Sequence, residues 1–254
     1  MKIALFQTKL AWENPEINRT FIEEYFLNED ESFDLFVLPE MFTSGFTMNP
    51  SAVAETMEGE TMTWLKDLAK KKTCAITGSL VIKENDNFYN RMVFVFPSGE
   101  VQFYNKRHLF TLAGEDKVYT KGIEKVIVNY NNWNICFQIC YDLRFPVFVR
   151  NVENYDLLLY VANWPKPRIN AWDALLKARA IENMCYTIGV NRIGEDDNKL
   201  EYPGHSKATD FLGNTIVDCE DELGVFIFEL DKNDQQETRQ KLNFLNDRDD
   251  FSLI

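Results

Sequence analysis

The chain has 254 residues, 45% hydrophobic and 26% charged, an ordinary balance for a globular protein and enough length to bury a real core. Its formal net charge is −13. A surface of that sign repels phosphate backbones and anionic lipid, so no nucleic acid and no membrane is expected as a partner.

The opening segment, MKIALFQTKLAW, carries an apolar run too short for a secretory leader and no small-residue cleavage site after it. No later run approaches the length of a membrane span, and the five cysteines are irregularly spaced with no CxxC pair. The expected setting is cytoplasmic, soluble and reduced, with no disulfide framework and no structural zinc site.

In chain order, residues 3–7 read as a strand and residues 15–27 as a helix whose first proline suits a first turn. Residues 35–38 form a strand that ends in Pro39 and Glu40. Residues 61–72 place Met62, Leu65, Leu68 and Ala69 at helical spacing. Strands are then expected at 74–82, 92–96, 126–128 and 133–139, joined by turns such as Pro97-Ser98-Gly99. A helical turn is expected over 142–149. Residues 157–162 read as a strand, and 169–184 as a helix with Trp172, Leu175, Leu176 and Ala180 on one face. Strands follow at 186–190 and 225–230. The polar tail, 231–254, reads as a terminal helix followed by an extended arm. The mixture predicts sheets covered by helices, α/β or layered α+β. With no linker, repeat or break in composition, residues 1–254 read as one domain.

One stretch stands apart. In NICFQICYDLRFP, a buried strand delivers Cys140 into the polar cluster Tyr141-Asp142-Leu143-Arg144. A nucleophile at a sharp strand-to-helix turn is held exposed beside free backbone N–H groups, and a helix start lowers a thiol pKa from about 8.5. The other cysteines, each in or beside an apolar run, read as small buried hydrophobes. A cysteine nucleophile needs a base. His108 and His205 are the only histidines, and spacing does not exclude either. Glu40 at a strand tip competes with them, though alone it reads equally as a solvated loop acid. Lys106, in VQFYNKRHLF, alone reads more readily as a surface lysine.

Three motifs taken together carry a resemblance. Glu40 in LPEMF, Lys106 in YNKRHLF and Cys140 in ICYDLRFP are similar, in order and spacing, to the motifs of the nitrilase superfamily, the carbon–nitrogen hydrolases. The resemblance extends through GSLVIKENDNFYNRMVFVFPSGE, KARAIEN and GHSKATDFLGN. GEDKVYTKG and ANWPKPRINAW resemble the ω-amidase branch, which deamidates 2-oxoglutaramate and 2-oxosuccinamate. One departure is visible: Cys136 stands where relatives often carry glycine, a change expected to affect packing rather than chemistry.

The resemblance implies a four-layer αββα sandwich, two mostly antiparallel sheets between outer helices, assembled as a homodimer through a helical face. It implies Cys140 as nucleophile, Glu40 as general base and acid, and an oxyanion site made by Lys106 and the N–H of Tyr141. Glu115 would orient Lys106 or the attacking water. A small-molecule amide is the implied substrate, with no metal and no organic cofactor. The superfamily also offers nitrilase and N-carbamoyl amino acid hydrolase chemistry, and a catalytically silent interaction protein is the alternative of another class.

Helical spacing puts Arg179 and Glu182 near the apolar face of their helix, where charges must be paired; with Arg144 and Asp142 they are expected to form an ionic scaffold behind the site. An ω-amide substrate carries a carboxylate that a local cation must hold against the field of the whole protein. Arg168 in the loop after strand 157–162 is the expected group, with Arg107 as competitor. Phe42 and Trp164 are expected as apolar walls.

Overall fold

The computed structural model describes residues 1–249 and 251–252. Two six-stranded sheets form its centre. In spatial order the first contains Gly224–Glu229, Lys2–Gln7, Leu35–Val37, Ala75–Glu84, Asn87–Val95 and Val101–Asn105. The second contains Thr215–Asp218, Lys207–Thr209, Tyr186–Asn191, Leu157–Ala162, Trp133–Ile139 and Ile127–Tyr130. Each sheet has three parallel strands, Lys2–Gln7, Leu35–Val37 and Ala75–Glu84 in one, Trp133–Ile139, Leu157–Ala162 and Tyr186–Asn191 in the other. The remaining pairings are antiparallel.

Side-chain alternation explains the layering. Ile3, Leu5, Leu35 and Val37 point inward, into a core shared with Ile135, Phe137 and Ile139 of the opposite sheet. Phe94 and Phe137 stack across that interface with ring centroids 5.7 Å apart. Ala4, Phe6 and Phe36 point the other way, onto Ile22 and Phe26 of helix Pro15–Asn28 and Met62 and Leu65 of helix Glu60–Lys72. Because both faces are covered, these strands read as continuous apolar runs. Asn14 caps the first helix through a 3.2 Å bond from the Ile17 N–H, and Pro15 fills its first turn. Each buried Leu or Phe contributes about 1.5–3 kcal/mol of transfer free energy.

Helix Ile169–Asn183 covers the second sheet through Trp172 and Leu176. Gly189 permits that approach: a Cβ there would lie 2.6 Å from both Trp172 and Leu176. The result is the layered α+β sandwich implied by the resemblance, with the parallel strands at the middle of each sheet.

Several local expectations need correction. The helix expected over 142–149 is two pieces, a 3₁₀ helix Cys140–Arg144 and a short helix Pro146–Val149. Pro146 has no N–H to continue the first piece. Strands Lys207–Thr209 and Thr215–Asp218 and the hairpin Ile193–Glu195 with Glu201–Pro203 were too short and mixed to read in advance. The tail does form a helix, Lys232–Leu242, tied to the body by Gln235 to Asp156 O and Arg239 to Met184 O. Residues 250, 253 and 254 of the expected arm lie outside the described residues. Cys136 is buried in its sheet, where desolvation pushes its thiol up to about 12. No helix among the described residues is long and apolar enough to cross a membrane.

Candidate active site

Glu40, Cys140 and Asn163 each follow the end of a parallel strand, Leu35–Val37, Trp133–Ile139 and Leu157–Ala162 respectively. Strand ends from facing sheets therefore deliver functional groups to one place. Lys106 follows strand Val101–Asn105, and its backbone N–H bonds Asn90 O at 3.0 Å. Glu115 begins a 3₁₀ turn, Glu115–Lys117.

Glu40, Lys106 and Glu115 are fully buried and joined. Lys106 Nζ lies 2.8 Å from Glu40 Oε1 and 2.9 Å from Glu115 Oε2. Asn90 Nδ2 donates to Glu40 Oε1 at 2.8 Å and approaches Glu115 Oε1 at 3.3 Å. The Asn163 N–H donates to Glu40 Oε2 at 2.8 Å, and Asn163 Nδ2 to Glu40 O at 2.6 Å. The Phe110 N–H bonds Glu115 Oε2 at 2.5 Å. Both carboxylates thus have their oxygens satisfied, as burial demands.

Cys140 has φ +46°, a left-handed conformation that costs a non-glycine residue and that clusters at functional sites. The turn is held by Asp142, which is fully buried. Its Oδ2 accepts from the Ile139 N–H at 2.9 Å and Tyr104 OH at 2.8 Å. Its Oδ1 accepts from the His108 N–H at 2.9 Å and lies 2.7 Å from His108 Nδ1. Arg179 supports the same turn from behind, donating to Leu143 O at 2.7 Å while pairing with Glu182 at 3.0 Å. Arg179 is buried and Glu182 half-buried, so this pair has the scaffold geometry that helical spacing suggests. Tyr141 lies in the first turn of the 3₁₀ helix, where an N–H has no intrahelical partner.

Three positive and negative groups around one thiol set its state. Burial, and then the Glu40 charge, hold the Cys140 thiol well above its ordinary pKa; Lys106 opposes them without prevailing. The expectation of a lowered pKa at a helix start is therefore corrected: the short 3₁₀ turn is outweighed by desolvation and a carboxylate. Burial disfavours charge on Lys106, but Glu115 and Glu40 outweigh it and raise its pKa. Burial also raises the Glu115 pKa, against the pull of Lys106.

Cys140 opens onto a cavity of 540 Å³. Phe46, Phe110, Tyr141 and Trp164 line it, together with Trp12, Met48 and Tyr202. Trp164 is held by its N–H to Asn191 Oδ1 at 2.7 Å and its Nε1 to Arg168 O at 2.8 Å. Arg168 lines the cavity, its guanidinium 5.1 Å from the Phe110 ring centroid. Arg144 lines it too, exposed and 5.0 Å from the Trp164 ring. Neither arginine has a carboxylate partner among the described residues. Arg144 is thus no buried scaffold: the break at Phe145-Pro146 turns it toward the cavity.

Two further expectations fail on position. Phe42 is fully buried against the first sheet, where a Cβ on Gly78 would lie 2.9 Å from its ring, and it does not line the cavity. Phe46 and Phe110 form the walls instead. Arg107 points away, donating to Ile123 O at 2.7 Å and packing over Phe148 beside a different cavity. Successive residues after an extended strand face opposite sides, so Lys106 and Arg107 diverge. Neither histidine lines the Cys140 cavity: His108 bonds Asp142, and His205 Nδ1 lies 3.0 Å from Asp173. Asn90 and Asn163 were not singled out from sequence; an asparagine in an apolar strand gives no signal until its partners are known. Among the described residues no cluster of His, Cys, Asp and Glu forms a metal site.

Residues 2–240 match the carbon-nitrogen hydrolase family. The chain is 40% identical over 255 residues to a protein named omega-amidase YafV from Yersinia enterocolitica, covering 100% of this chain and 99% of that one. It is 31% identical over 250 residues to a 2-oxoglutaramate amidase of Bacillus subtilis, covering 96% of each chain. Among solved structures it superposes with a TM-score of 0.97 on a CN-hydrolase superfamily protein from Xanthomonas campestris that carries an arsenic adduct in its active site, at 39% identity, covering 100% of this chain and 98% of that one.

Proposed function

The chain belongs to the carbon–nitrogen hydrolase family, and on that premise we propose that it is an ω-amidase, hydrolysing the terminal amide of 2-oxo dicarboxylic acid monoamides such as 2-oxoglutaramate and 2-oxosuccinamate. The observation that carries the reading is one cavity joining two unlike features. Its lining includes Cys140, beside the buried Glu40–Lys106–Glu115 cluster, and also Arg144 and Arg168, which have no carboxylate partner among the described residues. The first suits amide hydrolysis; the second suits a substrate with a carboxylate at its far end.

The proposed chemistry follows from the resting charges. The thiol is protonated before substrate arrives, so proton removal must accompany attack. Cys140 Sγ adds to the amide carbon while Glu40 takes the thiol proton. The carbonyl oxygen becomes an oxyanion held by Lys106 and the Tyr141 N–H. Glu40 returns the proton to the amide nitrogen, the C–N bond breaks, and ammonia leaves a thioester on Cys140. Glu40 then takes a proton from water, whose oxygen attacks the thioester; the acid departs and the thiol regains its proton. Glu115 fixes Lys106 through a second ion pair. Asp142, Arg179 and Glu182 shape the turn without touching substrate. Because the groups come from both sheets, residues 1–254 act as one catalytic domain.

The homodimer and the cytoplasmic setting implied by the resemblance belong to the same proposal; exposed Ile181, Leu212 and Val147 are among the apolar groups available to a partner copy. The test is ammonia release from 2-oxoglutaramate, 2-oxosuccinamate, glutamine, asparagine, N-carbamoyl amino acids and aliphatic nitriles. Preference for the two 2-oxo ω-amides is expected. Carbon dioxide released with ammonia from a carbamoyl substrate, turnover of nitriles, or no turnover of any compound would instead favour an N-carbamoyl hydrolase, a nitrilase or a silent interaction protein.

A further inference from the structure

Asn90 occupies an unusual position in the site. Its Nδ2 faces both carboxylates, at 2.8 Å from Glu40 Oε1 and 3.3 Å from Glu115 Oε1. Its backbone carbonyl accepts the Lys106 N–H at 3.0 Å. One neutral residue therefore touches all three members of the charged cluster. It is fully buried, as is Ser79 behind it.

Ser79 fixes the orientation of the amide. Ser79 Oγ accepts the Met41 N–H at 2.9 Å, next to Glu40 in the chain, and lies 2.8 Å from Asn90 Oδ1. With that acceptance made, the hydroxyl hydrogen is free to donate to Asn90 Oδ1. The opposite orientation of the amide would aim Oδ1, an acceptor only, at two carboxylates. Only one orientation satisfies every group.

We infer that Asn90, locked by Ser79, is a positioning residue that aims the Glu40 carboxylate at the Cys140 thiol. The inference rests on Glu40 acting as the base. Two buried carboxylates share one ammonium, so one positive charge faces two negative ones. A hydrogen bond to the charged form favours that form. Asn90 adds a second donor to Glu40 Oε1 without adding a charge, which a second lysine would do. It leaves the Asn163 N–H as the main donor on Oε2. The groups facing Glu40 are Lys106, Glu115 and the Cys140 thiol, with Tyr119 and Tyr202 further off. None of these replaces the amide donor.

The sign follows directly. A hydrogen bond to a carboxylate favours its charged, proton-accepting form, so losing that donor weakens the base most at low pH. The acid limb of activity must move to higher pH.

The readout should not depend on the substrate. Alkylation of Cys140 by iodoacetamide, followed by intact mass across pH, needs only the thiol and its base. Asn90→Leu, of similar size without a donor, should move the acid limb up by about one pH unit, with roughly tenfold slower alkylation below it. Ser79→Ala, which removes the lock and also the acceptor of the Met41 N–H, should move it the same way by less. Circular dichroism melts report whether each variant folds. A general packing defect would lower the whole profile without moving its limb. An unchanged limb in folded Asn90→Leu overturns the inference, as does an unchanged limb in Ser79→Ala should Asn90→Leu fail to fold. Glu40→Gln separates the two claims: if its profile matches that of the parent, the Glu40 base assignment itself fails.

Discussion

Arg168→Met is the sharpest probe of substrate choice. The arginine sits at the end of the 3₁₀ turn Lys166–Arg168, on the cavity wall, with its guanidinium over Phe110 at 5.1 Å and no carboxylate partner among the described residues. Its carbonyl anchors Trp164 Nε1 at 2.8 Å, but that contact uses the backbone and survives substitution. Methionine keeps most of the side-chain stem over the ring and removes the charge. A charge-assisted hydrogen bond contributes about 1.5–3 kcal/mol, which is roughly 10- to 150-fold in kcat/KM. Because Arg144 stays, facing the same cavity from over Trp164 at 5.0 Å, the loss should fall toward the lower end of that range. It should appear mainly in KM, since the contact is as strong in the ground state as in the transition state. The assay compares 2-oxoglutaramate with a short uncharged amide such as propionamide. Arg144→Met and the double variant complete a cycle; non-additive losses would mean that both cations hold one carboxylate. Equal losses on charged and uncharged amides would refute the carboxylate role and leave Arg168 as part of the wall.

Other expectations concern the reacting groups. Cys140→Ala should fold and lose turnover, and Cys140→Ser should be nearly as inactive, because a hydroxyl is far harder to deprotonate; ammonia assays alongside melting curves check both. Glu40→Gln should lower kcat by about 10²–10⁴, the worth of general acid–base catalysis, with Lys106→Met comparably damaged. Burial and Glu40 hold the thiol above its ordinary pKa, so parent Cys140 should show no rise in alkylation rate through the usual thiol range near pH 8.5. Glu40→Gln should remove the flat path and leave a rate that climbs with pH. Asp142→Ala leaves the Ile139 and His108 N–H groups without their acceptor and should cost about 2–6 kcal/mol, at about 1–3 kcal/mol for each unsatisfied group, read from urea unfolding. His205→Ala, away from the cavity, should stay within about tenfold of the parent, since general acid–base loss would cost far more.

What was legible in the sequence had local causes. Strands buried on both faces appear as apolar runs, so Ile135 to Ile139 and Leu157 to Ala162 announce themselves. Cys140 stands out because it ends such a run beside a polar cluster, whereas Glu40 and Lys106, each readable alone as a surface residue, emerge only from the three motifs taken together. The rest depends on long-range geometry. Asn90 reads as an ordinary strand residue until Glu40, fifty positions away, is brought beside it. Phe42 and Phe46 are equivalent in composition, and only the turn of the chain after Glu40 buries one and leaves the other on the cavity wall. Arg107 and Arg144 were misplaced for related reasons. One depends on which side a residue faces after a strand; the other depends on a helical turn that Pro146 prevents from continuing.

The central claim is that carbon–nitrogen cleavage passes through a covalent bond to Cys140. The most direct measurement is rapid quenching of the enzyme in acid during turnover of 2-oxoglutaramate, followed by intact-mass and peptide analysis. One acyl group of the substrate's mass, less ammonia, should be found on the peptide holding Cys140, and it should be absent from Cys140→Ala. Ammonia release by Cys140→Ala at a rate close to that of the parent, or an acyl group carried on another residue, would contradict the account.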